Sequence, residues 1–442
     1  MRIACVHVPQ FALQSLGRVD PSLRGAPVAV VGAGVDPAGA RASVALHSPI
    51  VLACTRAAWT LGVRIGMTAS AARFVSPELR VVAADRALER EAARAIADTL
   101  LGVSAVVDAG GRVGGSSGAH LAMYCEVPSK TRGTTFGGRL IDLLDSIGIA
   151  ARVGIADDRF TAWVAAAHGA EGGGLREDRG VVSVPRGGSP AFLAPRPLSL
   201  LAISPEVQHM LEALGVKTLG EFAALPAPSV SRPLEADYQA LARGDSGSAL
   251  RPYAPDAPIR EDLVVRSGGS LFGGATAVAT LAERLALRLA GRGRGATRLE
   301  LTVAGERGER SIPIAPPAAA SSQSTLAELL APQIDEAPGA VTRLQVVVVG
   351  EAVAGADAAG EGEAAPPIDA LSAALSGVGR KLAAAQGEID GRAAAERSLP
   401  WQLSAPPTLR GERRDAHRRT RRARRRRMVT VGQSLLFGQR EG

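Results

Sequence analysis

Apolar residues along the chain fall into two rhythms, and their alternation predicts the architecture. Residues 2–8 and 27–31 are short apolar runs of strand length, as expected of strands buried on both faces. From about 50 to 75 the pattern reads as helical, punctuated by Gly62 and Gly66. Residues 85–101 form a clear amphipathic helix. Asp85 can serve as its N-cap, and Leu88, Ala92, Ile96 and Leu100 recur at four-residue steps. Residues 119–127 are strand-like and follow a glycine-rich stretch, 110–118, that reads as flexible. Residues 138–147 are helical and lead into a strand at 151–155. These elements predict an α+β core around a mixed sheet.

A second block follows. Residues 197–244 are helical with short turns, between linker-like stretches at 187–197 and 253–258. Strands are predicted at 263–271, 298–303, 310–314 and 343–349, and helices at 276–290 and 326–334. The order β-α-β-β-α-β gives a compact sheet with both helices on one face. Val278, Leu281, Leu285 and Leu289 make one helical stripe. Alternation turns Leu299, Leu301 and Val303 toward the helices and leaves Arg298, Glu300 and Thr302 on the other face, beside Arg343 and Gln345. An open polar face carrying arginines suits a phosphate backbone; the alternative is a merely solvated face. Residues 354–367 are a low-complexity linker, one helix is predicted at 368–385, and disorder is expected beyond Pro400.

Length and charge sharpen this picture. A chain of 442 residues predicts about three domains. The net charge is +8, but residues 410–427 hold eleven arginines against Glu412 and Asp415, a local +9, leaving the rest near −1. So dense a run repels itself and is expected to be disordered, with a polyphosphate as its natural counter-surface. No apolar run approaches the roughly 18 residues of a membrane span, and the opening segment is broken by Pro9 too early for a signal peptide. The expectation is a cytoplasmic protein without a membrane partner. Three scattered cysteines exclude a disulfide framework or a zinc ribbon. The six histidines have no metal-ligand spacing, and His7, in a buried strand, reads as a satisfied core histidine. No cofactor is expected.

Three short motifs remain. Residues 30–39 are glycine-rich, but their spacing is wrong for a dinucleotide fingerprint, and Asp36-Pro37 blocks the helix that would hold a pyrophosphate. Gly215, Lys217 and Thr218 form a turn opening a helix, the second half of a helix-hairpin-helix pattern whose free N–H groups would meet a DNA phosphate. The alternative is a glycine C-cap beside a solvated lysine. Gln433, Leu435, Leu436 and Phe437 fit Q-x-x-L-F, a short peptide that docks bacterial β sliding clamps.

Residues 3–14 (IACVHVPQFALQ), 27–30 (PVAV), 61–68 (LGVRIGMT), 71–77 (AARFVSP) and 153–156 (VGIA) together resemble the Y-family translesion DNA polymerases. With the helical block and the β-α-β-β-α-β unit, the resemblance spans about residues 1–352. It implies a hand: palm at 1–18 and 80–170, fingers at 19–79, thumb at 171–250, little finger at 258–352, then a linker, helix and basic tail with the clamp motif at 353–442. It implies DNA contacts at Gly215, Lys217, Thr218, Arg266, Ser267, Arg298 and Arg343.

The departures from the family pattern decide what the resemblance implies for function. Its opening strand carries two metal-binding aspartates; here they align with His7 and Pro9. No adjacent Asp-Glu occurs from 103 to 127, where the family's later acidic pair belongs. The family's triphosphate-binding Tyr and Arg align with Arg56 and Trp59, and its Lys falls around Asp157-Asp-Arg159. An imidazole is a poor ligand for Mg²⁺ and proline offers none. The chain therefore resembles the catalytically inactive, polymerase-like subunits of bacterial mutasomes. Their role would be a DNA-binding adaptor in damage tolerance that engages the sliding clamp, a RecA-like ImuA and an error-prone polymerase, ImuC. The rival expectation is an active translesion polymerase with displaced acids, for instance Asp108 with Glu126.

Overall fold

The computed structural model describes residues 1–32, 49–113, 120–169, 180–226, 237–246, 249–265, 272–306, 308–335 and 340–354. The opening strand β1 (Ile3–Val8) is buried at all six positions, and α1 (Phe11–Val19) follows at once. A three-stranded sheet comes next, built from β2 (Val28–Gly32), β3 (Ile50–Cys54) and β4 (Arg80–Ala83) in the order β3-β2-β4. Two short helices, α2 (Arg56–Thr60) and α3 (Ala69–Val75), lie between β3 and β4, each capped by a threonine hydroxyl, Thr55 and Thr68. The expectation of helix across 50–75 is corrected by β3. Its continuous apolar run has no period, and such a run alone does not separate strand from helix.

The chain then returns to the first sheet through α4 (Arg86–Leu101), β5 (Val107–Val113), β6 (His120–Glu126), α5 (Gly133–Ser146), β7 (Arg152–Ala156), α6 (Arg159–His168) and β8 (Val181–Ser183). The strand order is β5-β6-β1-β7-β8, antiparallel except for the parallel β7–β8 pair, so the sheet is mixed as expected. Asp85 caps α4 as predicted, accepting from the Ala87 and Leu88 N–H groups. Ala92, Ile96 and Leu100 pack with Leu140 and Leu144 against one face of the sheet. Glycines 110 and 111 do not start a flexible loop: Gly110 lies with Ala109 in a bulge of β5 opposite β6, and Gly111 resumes the pairing with Ala122.

A helical block follows: α7 (Ser189–Leu193), α8 (Pro205–Ala213), α9 (Leu219–Ala223) and α10 (Asp237–Ala242), packed around Leu193, Leu211, Leu219 and Phe222. Helix α7 lies inside the expected linker at 187–197. Its Pro190 sits in the first turn, where the missing N–H costs nothing. The last unit is β9 (Arg260–Val264), α11 (Phe272–Arg292), β10 (Arg294–Gly305), β11 (Gly308–Ile314), α12 (Gln323–Asp335) and β12 (Val341–Val353). Its sheet order is β11-β10-β12-β9. The stripe Val278, Leu281, Leu285 and Leu289 faces Leu299, Leu301 and Val303 in one core, as alternation predicted. The strand expected at 263–271 is β9, which begins earlier, at Arg260; residues 266–271 lie outside the described set, as does the predicted helix at 368–385.

This last unit is bolted to α1 and α4 through a buried ionic seam. Glu261 on β9 and Asp98 on α4 are both fully buried. Glu261 receives Arg18 through both carboxylate oxygens, at 2.7 and 2.6 Å, and Arg288 at 2.9 Å. Asp98 receives Arg288 at 2.9 Å and Arg292 at 3.0 Å through each oxygen. Tyr253, in the segment before β9, donates its hydroxyl to Asp98 at 3.1 Å. Burial alone would raise the Glu261 carboxyl, but the charges of Arg18 and Arg288 bring it down to about 2. At Gly291 the helices α11 and α4 touch so closely that a Cβ would collide with the Asp98 carbonyl. No helix among the described residues is long and apolar enough to cross a membrane.

Candidate functional site

One face of the five-stranded sheet carries the residues that stand where catalytic acids were sought. Strand register places Cys5 and His7 of β1 beside Tyr124 and Ala122 of β6, and Asp108 of β5 beside Tyr124. His7 is 6% exposed, and its Nδ1 has no hydrogen-bond partner. The expectation of a satisfied core histidine is therefore corrected at one nitrogen: the ring is buried with its Nδ1 unbonded. Its centroid lies 5.1 Å from that of His120. Burial, then the neighbouring His120, pushes His7 well below the ordinary histidine range. Burial, then the charges of His168 and Arg152, takes His120 down to about 4. Both rings are neutral at pH 7.

Pro9 contributes only its carbonyl, which accepts from the Gln14 side chain at 2.8 Å. Gln10 takes a left-handed backbone, φ 48°, the only non-glycine among the described residues to do so. That turn aims its N–H at His120 Nδ1, 3.3 Å away, while its side-chain oxygen accepts from the Cys54 N–H at 2.9 Å. The end of β1 is thus tied both to β6 and to the three-stranded sheet.

Asp108 is the acid nearest this position on β5, and it is fully committed. Its Oδ1 accepts from the Gly110 N–H at 2.8 Å, and its Oδ2 from the Arg251 N–H at 2.8 Å. The Arg159 guanidinium pairs with Oδ2 at 3.1 Å and stacks over the Tyr124 ring at 4.3 Å. Glu126, the second acid of the rival expectation, sits opposite Ile3, at the far end of β1 from His7. Asp157 pairs with Arg2 at 3.1 Å, and Asp158 caps α6 while accepting from Ser189 at 2.9 Å.

A pair of magnesium ions needs converging anionic oxygens. Here His7 presents nitrogen, Pro9 presents no side-chain ligand, and Asp108 is neutralised by an internal cation. Among the described residues, no group of three or more His, Cys, Asp or Glu side chains is placed to hold a metal ion. The residues present do not fit the two-metal centre that the family resemblance implies. Trp59, aligned with a triphosphate-binding position, is stacked by Arg64 at 4.0 Å.

The expected phosphate contacts divide. In the turn before α9, the N–H groups of Lys217 and Thr218 are not free. Both donate to one oxygen of the Glu221 carboxylate, at 2.7 and 2.9 Å, while the Thr218 hydroxyl accepts from the Glu221 N–H. Glu221 closes a capping box and fills the anion position itself. These backbone bonds hold its carboxyl below the usual range. The Lys217 side chain is exposed, and Gly215 takes φ 92° in the turn.

On the outer face of the four-stranded sheet, Arg343 donates to Asp262 at 2.8 Å, as do Gln345 at 2.7 Å and Arg260 at 3.1 Å. Register sets Arg260, Arg298 and Arg343 on that face together with Asp262, Glu300 and Glu309. The face is charge-balanced rather than basic, and Arg298 is its exposed cation outside the Asp262 cluster. Arg266, Ser267, the clamp motif Gln433, Leu435, Leu436 and Phe437, the arginine run 410–427 and residues 33–39 of the glycine-rich stretch lie outside the described residues. Sequence reasoning missed Arg159 as the partner of Asp108, because the two are brought together only by the fold. It also missed Glu221, although Thr218-Leu-Gly-Glu221 is itself a legible capping-box pattern.

Residues 6–111 match the impB/mucB/samB family. No curated protein matches the sequence. Among solved structures, the chain is similar to DinB from Sulfolobus solfataricus at 16% identity and a TM-score of 0.43, over 80% of this chain and 99% of that one. It is also similar to an insertion ternary complex of Dbh DNA polymerase, at 14% identity and a TM-score of 0.45, over 79% of this chain and 100% of the other. A post-insertion binary complex of Dbh DNA polymerase gives 15% identity and a TM-score of 0.45, over 79% and 98%.

Proposed function

We propose that this chain is a non-catalytic, Y-family-like adaptor of the ImuB type, which holds primer–template DNA and joins it to the sliding clamp during error-prone damage tolerance. The observation that carries the reading is the pairing of Asp108 with Arg159 beside a neutral, buried His7. A polymerase needs carboxylates able to share divalent ions. Here the remaining acid has both oxygens occupied, and the opening strand supplies none. The impB/mucB/samB match over residues 6–111, which includes His7, Pro9 and Asp108, supports the reading. DNA contact is assigned to Lys217, with Gly215 and Thr218 shaping its turn, and to Arg298 and Arg343, with Arg266 and Ser267 between β9 and α11. The clamp is assigned to Gln433, Leu435, Leu436 and Phe437. A RecA-like ImuA and an ImuC-type polymerase are the partners this role requires.

Primer extension with the purified full chain tests the reading. The expected result is no templated incorporation in Mg²⁺ or Mn²⁺, with binding to primer–template DNA retained. Incorporation that disappears in Asp108→Asn or Glu126→Gln would establish an active polymerase instead. For the clamp, Leu436→Ala with Phe437→Ala is expected to abolish capture by immobilised clamp; undiminished capture removes that assignment.

A further inference from the structure

Beside the ionic seam, three arginines from different parts of the chain converge on Gly148, in the turn between α5 and β7. A Cβ at Gly148 would lie 2.9 Å from Arg284 Nη2, 3.0 Å from Arg24 Nη2 and 3.7 Å from Arg18 Cγ. The two Nη2 groups are therefore no more than about 6 Å apart. Gly148 itself has φ 78°, so this crowded turn favours a residue without a side chain.

The three guanidinium groups are not equally provided for. Arg18 is saturated: it takes both oxygens of Glu261, and its Nε donates to the Ile147 carbonyl at 2.9 Å. Arg284 is as deeply buried, yet among the described residues it makes one hydrogen bond, from Nη1 to the Arg18 carbonyl at 3.0 Å, and its Nε has no partner there. Arg24 is exposed and donates from Nη2 to the Gly148 carbonyl at 3.1 Å. Among the described residues, neither Arg24 nor Arg284 has a carboxylate within ion-pair distance. Glu261, then Glu283, acts on Arg284, and Asp145 on Arg24, only from beyond that distance. Burial, then repulsion from Arg18, pulls the Arg284 guanidinium down to about 9.

Buried charge is tolerated in proteins when it is paired, and a guanidinium fork matches the oxygens of a phosphate group. Two guanidinium groups this close, one of them nearly dry, have no carboxylate of their own among the described residues, since the Glu261 whose charge reaches Arg284 is already bonded to Arg18 and Arg288. We propose that Arg24 and Arg284 form a binding site for a phosphate-type oxyanion, seated over Gly148 with Arg24 at its mouth and Arg284 at its floor. Oxygens of a single tetrahedral anion reach both Nη2 groups, and the free Nε of Arg284 supplies a further donor. The phosphate is either a free one, including that of a nucleotide, or a backbone phosphate of a nucleic acid. The site shares no residue with the DNA contacts or clamp motif assigned above and stands or falls independently of them.

The test is thermal unfolding of the full chain in inorganic phosphate, at ionic strength held constant with chloride. The wild-type midpoint is expected to rise with millimolar phosphate, because a ligand bound only by the folded state stabilises it. Arg24→Gln, which changes an exposed residue, is expected to keep the chloride midpoint and to weaken the phosphate response at least tenfold. Arg284→Gln checks the floor, and far-UV circular dichroism confirms that each variant is folded. An equal response in wild type and Arg24→Gln means an adventitious ion only and overturns the proposal, as does a wild type that does not respond. A competition arm separates the sources. If the phosphate is a backbone one, inorganic phosphate displaces a short unphosphorylated duplex from the wild type, and Arg24→Gln lowers duplex affinity. If it is a free phosphate or nucleotide, the phosphate response persists and duplex affinity is unchanged.

Discussion

Two regions of this molecule bury carboxylates against arginines, and they do so to different ends. In the seam, Asp98 and Glu261 are shared among Arg18, Arg288 and Arg292, and nearly every polar atom has a partner. On the face of the five-stranded sheet covered by α6, a single acid, Asp108, is matched to a single arginine, and beside it a histidine is buried with an empty Nδ1. Strongly shifted titrations mark both regions, yet neither arrangement leaves a carboxylate free to take a ligand. Perturbed ionisation is often read as a sign of chemistry. Here it marks an ion-pair joint in one place and a desolvated pair of histidines in the other.

The sharpest way to break the comparison is in the seam. Arg288→Met strands Asp98 and Glu261 among charges no longer balanced, and removing one partner of a buried pair typically costs about 3 to 5 kcal/mol. Urea unfolding at pH 7 should show a loss of that size; a loss below about 1 kcal/mol would mean the seam does not hold the two parts together. Next in size is an acid limb that belongs to the sheet face. Because the folded state disfavours protonated His120, the unfolded chain alone takes up that proton below about pH 6.5. Stability should therefore fall as pH drops from 6.5 to about 4. At about 1.4 kcal/mol per unit, that limb is worth roughly 3 kcal/mol. His7, held still lower by burial, adds to the same limb, so His120→Gln should make it shallower without removing it, as followed by urea midpoints between pH 7.5 and 4.5. The smallest effect is expected from Arg159→Met. Asp108 keeps its two backbone N–H donors, so a loss of about 1 to 2 kcal/mol is expected at pH 7. A loss as large as that of Arg288→Met would make the two regions equivalent.

Much of the fold was legible because it rests on local rhythm. The stripe from Val278 to Leu289 and the alternation at Leu299, Leu301 and Val303 predicted which faces meet, and Asp85 marked the start of α4 correctly. The errors share a cause. Residues 50–54 form an apolar run without a period, and the glycines in β5 and the prolines around α7 are punctuation that serves a bulge and a first turn as readily as a loop. The site was less legible. That His7 and Pro9 stand where acids were sought is visible in one strand. The neutralising contact is not: Arg159 meets Asp108 only because α6 folds back over β7 and β1, and no spacing encodes it. The same holds for the seam and for the convergence on Gly148, whose partners are far apart in sequence. Glu221 is the exception, since its capping box was readable and was read instead as a set of open donors.

Strand β12 has a mechanical consequence. It is the longest strand of its sheet, flanked by β10 on one side and β9 on the other, and Glu351 near its end is pinned by Arg292 at 3.0 Å. Tension arriving along the chain from beyond residue 354 would enter where β12 is paired with β10 alone and reach the β9 ladder only at Val347, so the load passes from one ladder to two along the strand. A tether pulling from that end would therefore meet its stiffest hold inside the strand, over Arg343–Val347, and not at its tip.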